Sequence, residues 1–240
     1  MAKFNVHAGH NPAGKIGCGA VGILDESVEN RRVVRQLIAF LKQQGHTVYD
    51  CTCDNGTGQT DILRKIVSKC NAHTVACDVS VHLNSGGGHG TECLIYGTGG
   101  NAEKYAKKIQ SAIVKRTGYT DRGVKVRKDL YVLKNTTAPA VLVECCFVDS
   151  AADAKRWEPK TMAAAICEGL TGQNPLENTE YLVRVTSETV NIRAQAGKDS
   201  EKVGTVQKGD VFTIVEETPN WMKLKSGKGW IAKKHTEKVG

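Results

Sequence analysis

The chain has 240 residues, 40% of them apolar and 24% charged, with a formal net charge of +8. This length holds one large domain, or a medium and a small one, with enough apolar residues for a core. No run of about 18 apolar residues occurs, so no membrane-spanning helix is expected.

The positive excess lies mainly in residues 1–173, with 22 Lys and Arg against 16 Asp and Glu; residues 174–240 hold 11 against 9. A mildly basic surface suits nucleic acid, anionic membranes or anionic wall polymers. The densest patch, Lys115, Arg116, Arg122, Lys125, Arg127 and Lys128, has no interleaved aromatic platform and belongs to no nucleic-acid motif. Nucleic acid is therefore not an expected partner, and a solvated face is the plainest reading of the patch.

The chain opens Met1-Ala2-Lys3 straight into a strand, with no apolar signal segment, so synthesis in the cytoplasm without a signal peptide is expected. That strand runs from Phe4 to His10, and a glycine-rich loop from Gly14 to Gly22 follows. Helical spacing of Asn30, Val33, Val34, Leu37, Ile38 and Leu41 predicts a helix from Glu26 to Gln44, stopped by Gly45. Thr47–Tyr49 reads as a strand, Asp61–Asn71 as a helix, Asp78–His82 and Thr91–Tyr96 as strands, and Asn101–Arg116 as a helix. Ala140–Cys145 is a strand and Thr161–Leu170 the last helix. Strands alternating with helices of this length predict an α/β domain over 1–172, a mostly parallel sheet with helices on both faces.

Residues 173–179 are polar, break both periodicities and read as a linker. Over 180–240 the pattern changes to short strands at Tyr181–Val185, Val190–Arg193, Lys202–Val206, Val211–Glu216, Trp221–Leu224 and Gly229–Ala232. Strands this short and close predict a small all-β barrel that binds rather than catalyses.

All nine cysteines lie at or before Cys167, an odd number that does not read as a disulfide framework. Reduced thiols in a cytosol fit better. Cys51-Thr52-Cys53 offers half a metal site, but no paired C-x-x-C accompanies it, and buried apolar thiols are the plainer reading.

Four residues carry the chemistry. His10, His82 and Glu144 end segments that read as buried strands, and Glu26 opens a helix. In an open α/β sheet the carboxyl ends of parallel strands share one rim, where ligands bind. Two imidazoles, a carboxylate and an open position suit a catalytic zinc, and a second carboxylate suits the base its water needs. Glu144 is the strongest single clue. It follows the apolar run Ala140-Val141-Leu142-Val143, and burying an acid without a partner costs several kcal/mol, so a cation or a hydrogen-bond network must meet it. Each of the others has a plainer explanation when taken alone: a capping or core histidine, or an acid favoured by a helix dipole. The loop Ser85-Gly86-Gly87-Gly88 lacks the lysine of a phosphate-binding loop and runs into a strand.

Taken together, these segments resemble the zinc-dependent N-acetylmuramoyl-L-alanine amidases of the amidase-3 type. His7-Ala8-Gly9-His10-Asn11-Pro12 resembles the first family motif, Ser80-Val81-His82-Leu83-Asn84 the second, and Pro139 through Phe147 the third, with Arg122-Gly123-Val124 and Gly90-Thr91-Glu92 between them. The family's Glu, four residues before an Asn, falls on Glu26 and Asn30; Glu29 has no such partner. The resemblance implies one Zn²⁺ per chain held by His10, Glu26 and His82, with Glu144 as the catalytic base. Two residues depart from the pattern: His7 stands where the family often has Asp, and Cys146 where it usually has Gly. His7 competes for the role of ligand, but on an extended strand its side chain diverges from that of His10. Asn84, His89 and Arg122 are weaker candidates for touching substrate; His46, His73 and His235 are expected to be uninvolved.

Residues 180–240 resemble bacterial SH3-type wall-binding domains through Val190-Asn191-Ile192-Arg193-Ala194, Gly204 to Asp210, Trp221 to Leu224 and Gly229-Trp230-Ile231. Trp221 and Trp230 are candidates for wall contact and equally for the core. The two resemblances imply a peptidoglycan hydrolase of endolysin type, from a phage or prophage, that acts on the wall after release through a permeabilised membrane. Its partner would be bacterial peptidoglycan or an associated wall polymer. A zinc peptidase cutting within the stem peptide and a catalytically silent wall-binding protein are the alternatives.

Overall fold

The computed structural model describes residues 1–176 and 180–239. Residues 177–179 of the expected linker, and Gly240 of the expected barrel, lie outside the described residues. The chain divides into two compact units, Met1–Pro175 and Leu176–Gly240.

In chain order the first unit runs β1 (Lys3–Ala8), α1 (Glu26–Gln43), β2 (Thr47–Asp50), α2 (Gln59–Asn71), β3 (Cys77–Asn84), β4 (Thr91–Ile95), α3 (Asn101–Thr117), β5 (Asp121–Val126), α4 (Tyr131–Asn135), β6 (Ala140–Phe147), α5 (Ala151–Ala154) and α6 (Pro159–Thr171). The strands form one sheet in the order β2-β1-β3-β6-β4-β5. Every neighbouring pair is parallel except β4 with β6. The loop from β3 to β4, residues 85–90, is too short to return the chain to the far edge, as a parallel crossover must. Strand β4 therefore runs backwards, and its amino end joins the carboxyl ends of β1, β3 and β6 on one rim.

Side-chain alternation sorts the two faces. Phe4, Val6 and Ala8 of β1 lie with Val79 and Val81 of β3 in the main core. Val33, Val34 and Leu37 of α1, Ala106, Ile109 and Ile113 of α3, and Met162 and Ile166 of α6 cover them. On the opposite face smaller clusters form under α2, from Cys51, Cys53, Ile62 and Ile66, and under α4, from Leu94, Leu133 and Leu142. Cys51 and Cys53 thus pack as apolar groups, and Cys146 is buried in the main core.

The second unit runs β7 (Tyr181–Val185), β8 (Thr189–Arg193), β9 (Lys202–Gln207), β10 (Val211–Glu217), β11 (Trp221–Leu224), β12 (Trp230–Ala232), a 3₁₀ turn (Lys233–His235) and β13 (Thr236–Lys238). Every pairing is antiparallel, in the order β13-β7-β10-β11-β12-β8-β9. Residues from β7 through β12, among them Val185, Ile192, Val206, Ile214, Met222 and Ile231, meet in a single core, so the sheet curls around it. No helix of the described residues is long and apolar enough to cross a membrane.

Candidate metal centre and active site

Strand β1 ends at Ala8, two residues earlier than its apolar pattern suggests. Gly9 still reaches β3 through its N–H, 3.0 Å from the Val81 carbonyl. The chain then turns sharply at His10, which has φ of 64° and is the only residue other than glycine in the left-handed region among those described. Asn11 pins the turn: its amide donates to the carbonyls of Ile16 (2.7 Å) and Gly56 (3.0 Å), and its oxygen accepts from the Gly56 N–H. Gly9 has a steric reason to be glycine. A Cβ there would lie 2.0 Å from Cε1 of His82, so the His82 ring rests on bare backbone.

Helix α1 supplies the third group. Asp25 caps it by accepting from the Val28 N–H, which sets Glu26 in the first turn, buried and facing the rim. Glu26 Oε1 lies 3.2 Å from His10 Nε2 and 3.0 Å from His82 Nδ1 and accepts from the Leu83 N–H; Oε2 accepts from the Ala20 N–H. One turn further on, Asn30 donates to the Gly9 carbonyl at 3.0 Å. Arg31 donates to the His10 carbonyl at 2.9 Å and pairs with Asp54 at 2.7 Å. The four-residue spacing of Glu26 and Asn30 therefore has a physical content: adjacent turns of one helix face present a carboxylate and hold the backbone on which His10 is mounted. Glu29 is engaged elsewhere, by Arg32 and the Trp157 indole N–H.

The ligand atoms of His10, Glu26 and His82 all lie within 4.8 Å of one another, and the two imidazole rings meet edge to face at 4.8 Å. Burial alone would raise the Glu26 carboxyl, but the two imidazoles hold it well below the usual carboxylate range. Burial lowers His82 against the pull of Glu26, which leaves its ring neutral as a metal ligand requires. Two nitrogens and a carboxylate aimed at a common point, with all three side chains tied to separate backbone segments, fit a divalent cation. His7 does not join them. It is fully buried, its Nε2 meets no hydrogen-bond partner among the described residues, and burial together with His82 pushes its pKa down to about 3.

Glu144 stands beside this cluster, opposite His82 on β3 and opposite Glu92 on β4. Its Oε2 is out of reach of solvent and has no hydrogen-bond partner among the described residues. Burial first, then the charges of Glu26 and Glu92, push its pKa up to about 8, with Arg127 opposing. A folded value above the unfolded one means that the stability this group contributes is complete below about pH 4.5 and is lost as pH rises through 8. From pH 7 to 9 the metal-stripped protein is expected to lose about 1 kcal/mol through this group. Melting curves should show that loss in the parent and not in Glu144→Gln; equal slopes would refute it.

Of the weaker substrate candidates, Asn84 and Arg122 are drawn into a network around Glu92. Asn84 donates to Oε1 at 3.2 Å, Arg122 Nε and Lys125 Nζ donate to Oε2 at 2.7 and 2.5 Å, and the Arg122 guanidinium lies 4.9 Å over the Phe147 ring. His89 is exposed in the glycine loop and makes no hydrogen bond among the described residues. Sequence patterning does not single out Asp149, which accepts from the Gly86 and Gly87 N–H groups, or Asp153, which accepts from those of Gly90 and Phe147. Both acids brace the loop behind His82. In the second unit Trp221 lines a groove, whereas Trp230 lies under Lys223 at 5.7 Å.

Loss of the Asn30 clamp is expected to cost about 10–100-fold in metal affinity, as for other partners that orient ligands. Competition with a chromophoric chelator measures it, and an unchanged Kd in Asn30→Ala would show that the clamp does not position His10.

Comparison with known proteins places both units in families. The family model described as N-acetylmuramoyl-L-alanine amidase matches residues 5–172, and the one described as bacterial SH3 domain matches residues 188–237. An uncharacterised protein of Clostridium perfringens is 33% identical over 237 residues, 90% of this chain and 69% of its own length. The endolysin of Bacillus phage SPP1 is 30% identical over 163 residues, 64% of this chain and 58% of its own. The solved catalytic domain of CwlV, an N-acetylmuramoyl-L-alanine amidase from Bacillus (Paenibacillus) polymyxa var. colistinus, is 26% identical with a TM-score of 0.61 over 72% of this chain and 97% of its own. With 5–172 matched to one model and 188–237 to the other, the chain belongs to the N-acetylmuramoyl-L-alanine amidase family and carries a bacterial SH3 domain after its amidase domain.

Proposed function

We propose that this peptidoglycan amidase cuts the bond between the lactyl group of N-acetylmuramic acid and L-alanine, using one zinc ion held by His10, Glu26 and His82, with Glu144 as general base. The observation that carries this reading is the convergence of three metal-ligating atoms beside a buried carboxylate oxygen without a partner. When bound, zinc supplies Lewis acidity that polarises the scissile carbonyl and lowers the pKa of a water toward about 7.

The remaining steps belong to the chain's own residues. Glu144 would be held ionised once the charge of Glu26, which raises its pKa, is offset by a cation at the three ligands. Glu144 accepts a proton from the attacking water and returns it to the leaving amine. Arg122 and Lys125, neutralised in part by Glu92, border the site with positive charge where the carboxylates of a stem peptide can dock.

Analysis of the products from digested walls tests the reading directly. New N-terminal alanine is expected. A different new N-terminus would make the enzyme a stem peptidase, and no new amine would make it a wall-binding protein. Residues 1–175 alone are expected to hydrolyse soluble muropeptides at the rate of the whole chain while sedimenting poorly with intact walls. A folded, zinc-loaded fragment that is inactive on the soluble substrate would overturn this division of labour.

The similarity to the phage SPP1 endolysin supports an endolysin role, in which the enzyme reaches the wall through a permeabilised membrane. Cells expressing the chain internally should stay intact until a pore-forming agent is added. Lysis without one would contradict this route.

A further inference from the structure

We propose that a groove on the SH3 domain seats a phosphodiester-linked wall glycopolymer, an inference that rests on the wall-hydrolase reading above. The groove, about 760 Å³ in volume, lies between β8 and the loop after it, the turn from β10 to β11 and the 3₁₀ turn after β12. Its charged lining is Arg193, Lys198, Lys233 and Lys234, with His235 and the half-buried Trp221 beside them; no Asp or Glu of the described residues lines it. The chain beyond residue 173 has almost as many acids as bases, nine against eleven, so this one-sided lining is a segregation of charge and not a reflection of composition.

The groove is preformed. The Lys233 N–H donates to the Asn220 carbonyl at 2.9 Å and ties its two walls together, while Thr218 and Trp221 close the intervening turn with a backbone hydrogen bond of 2.8 Å. Arg193 is steadied by the Ser200 carbonyl at 2.8 Å, and Lys233 leans 3.3 Å from Glu217. Lys198 and Lys234 make no ion pair or side-chain hydrogen bond among the described residues, and both are exposed. Two cations without partners beside two that are positioned, over an indole and an open floor, suit a chain whose negative charge recurs from unit to unit. A phosphodiester polymer has that property and stays ionised at any pH of the wall. Binding of a repeated phosphate releases condensed cations and weakens with salt.

The test uses the full chain bearing Glu144→Gln, so that walls are bound and not consumed. Sedimentation is compared on walls that carry a phosphodiester polymer and on the same walls stripped with hydrofluoric acid, with soluble poly(glycerol phosphate) as competitor. Affinity is expected to fall at least about tenfold on stripped walls, in Lys198→Glu/Lys234→Glu, and between low and high salt, with poly(glycerol phosphate) competing for the intact walls. Undiminished binding to stripped walls would mean that the groove reads the peptide or glycan, and undiminished binding by the double variant would mean that the groove is not the seat; either overturns the proposal. The same double substitution placed in the otherwise unaltered enzyme should leave hydrolysis of soluble muropeptides unchanged. Failure of the amidase reading would show there, as absence of N-terminal alanine, independently of what the groove binds.

Discussion

Metal-stripped protein is expected to hydrolyse no muropeptide, and one equivalent of zinc per chain is expected to restore the full rate. The three ligand atoms lie within 4.8 Å of one another, held by the β1 turn, the first turn of α1 and the end of β3. With no cation among them, the Glu26 carboxylate is occupied by the two imidazoles, and nothing polarises the scissile carbonyl. Removing a ligand should act through the same step. His10→Ala and His82→Ala should lose zinc, and Glu26→Gln, which replaces an anionic ligand with a neutral amide, should hold it weakly. His7→Ala should keep it, since His7 stands outside the cluster. Zinc content measured beside turnover decides the matter. Full activity without metal would end the mechanism, and zinc loss in His7→Ala equal to that in His10→Ala would show that the first ligand is misplaced.

Glu144→Gln is expected to lower turnover by about 10²–10⁴-fold while zinc remains bound. The amide keeps the shape of the side chain but cannot take a proton from water. The position is well suited to a base: among the described residues no protein donor meets Oε2, so no hydrogen bond of the fold occupies its lone pairs. Glu92 directly opposite is already committed to Arg122, Lys125 and Asn84 and cannot substitute. Zinc loss in Glu144→Gln, with retention in Glu26→Gln, would exchange the two roles.

The residues at the rim were legible because chemistry leaves marks in a strand. His82 and Glu144 each interrupt an apolar run at the same level of the sheet, and Glu26 and Asn30 share a helix face. Strand β5 escaped because Asp121-Arg122-Gly123-Val124-Lys125-Val126 lies at the sheet edge, where Lys and Arg discourage further pairing and erase the alternation of a buried strand. It read instead as a basic patch. Helices α4 and α5, of five and four residues, are too short for a helical period to show. Strand β13 holds three residues, Thr236 to Lys238, two of them exposed, and its place beside β7 comes from pairing across the whole domain. Asp149 and Asp153 brace the His82 loop through backbone N–H groups more than sixty residues distant or around a tight turn, which no local pattern reveals.

The turn at His10 also bears on engineering. A histidine at φ of 64° pays roughly 1–2 kcal/mol for its Cβ, a penalty that glycine avoids. His10→Gly should therefore melt higher than His10→Ala in metal-free protein, and both should be inactive. Selection for heat survival of the metal-free protein alone would favour glycine over alanine at this position although neither can act, so any thermostable library of this amidase has to be sorted on lysis first.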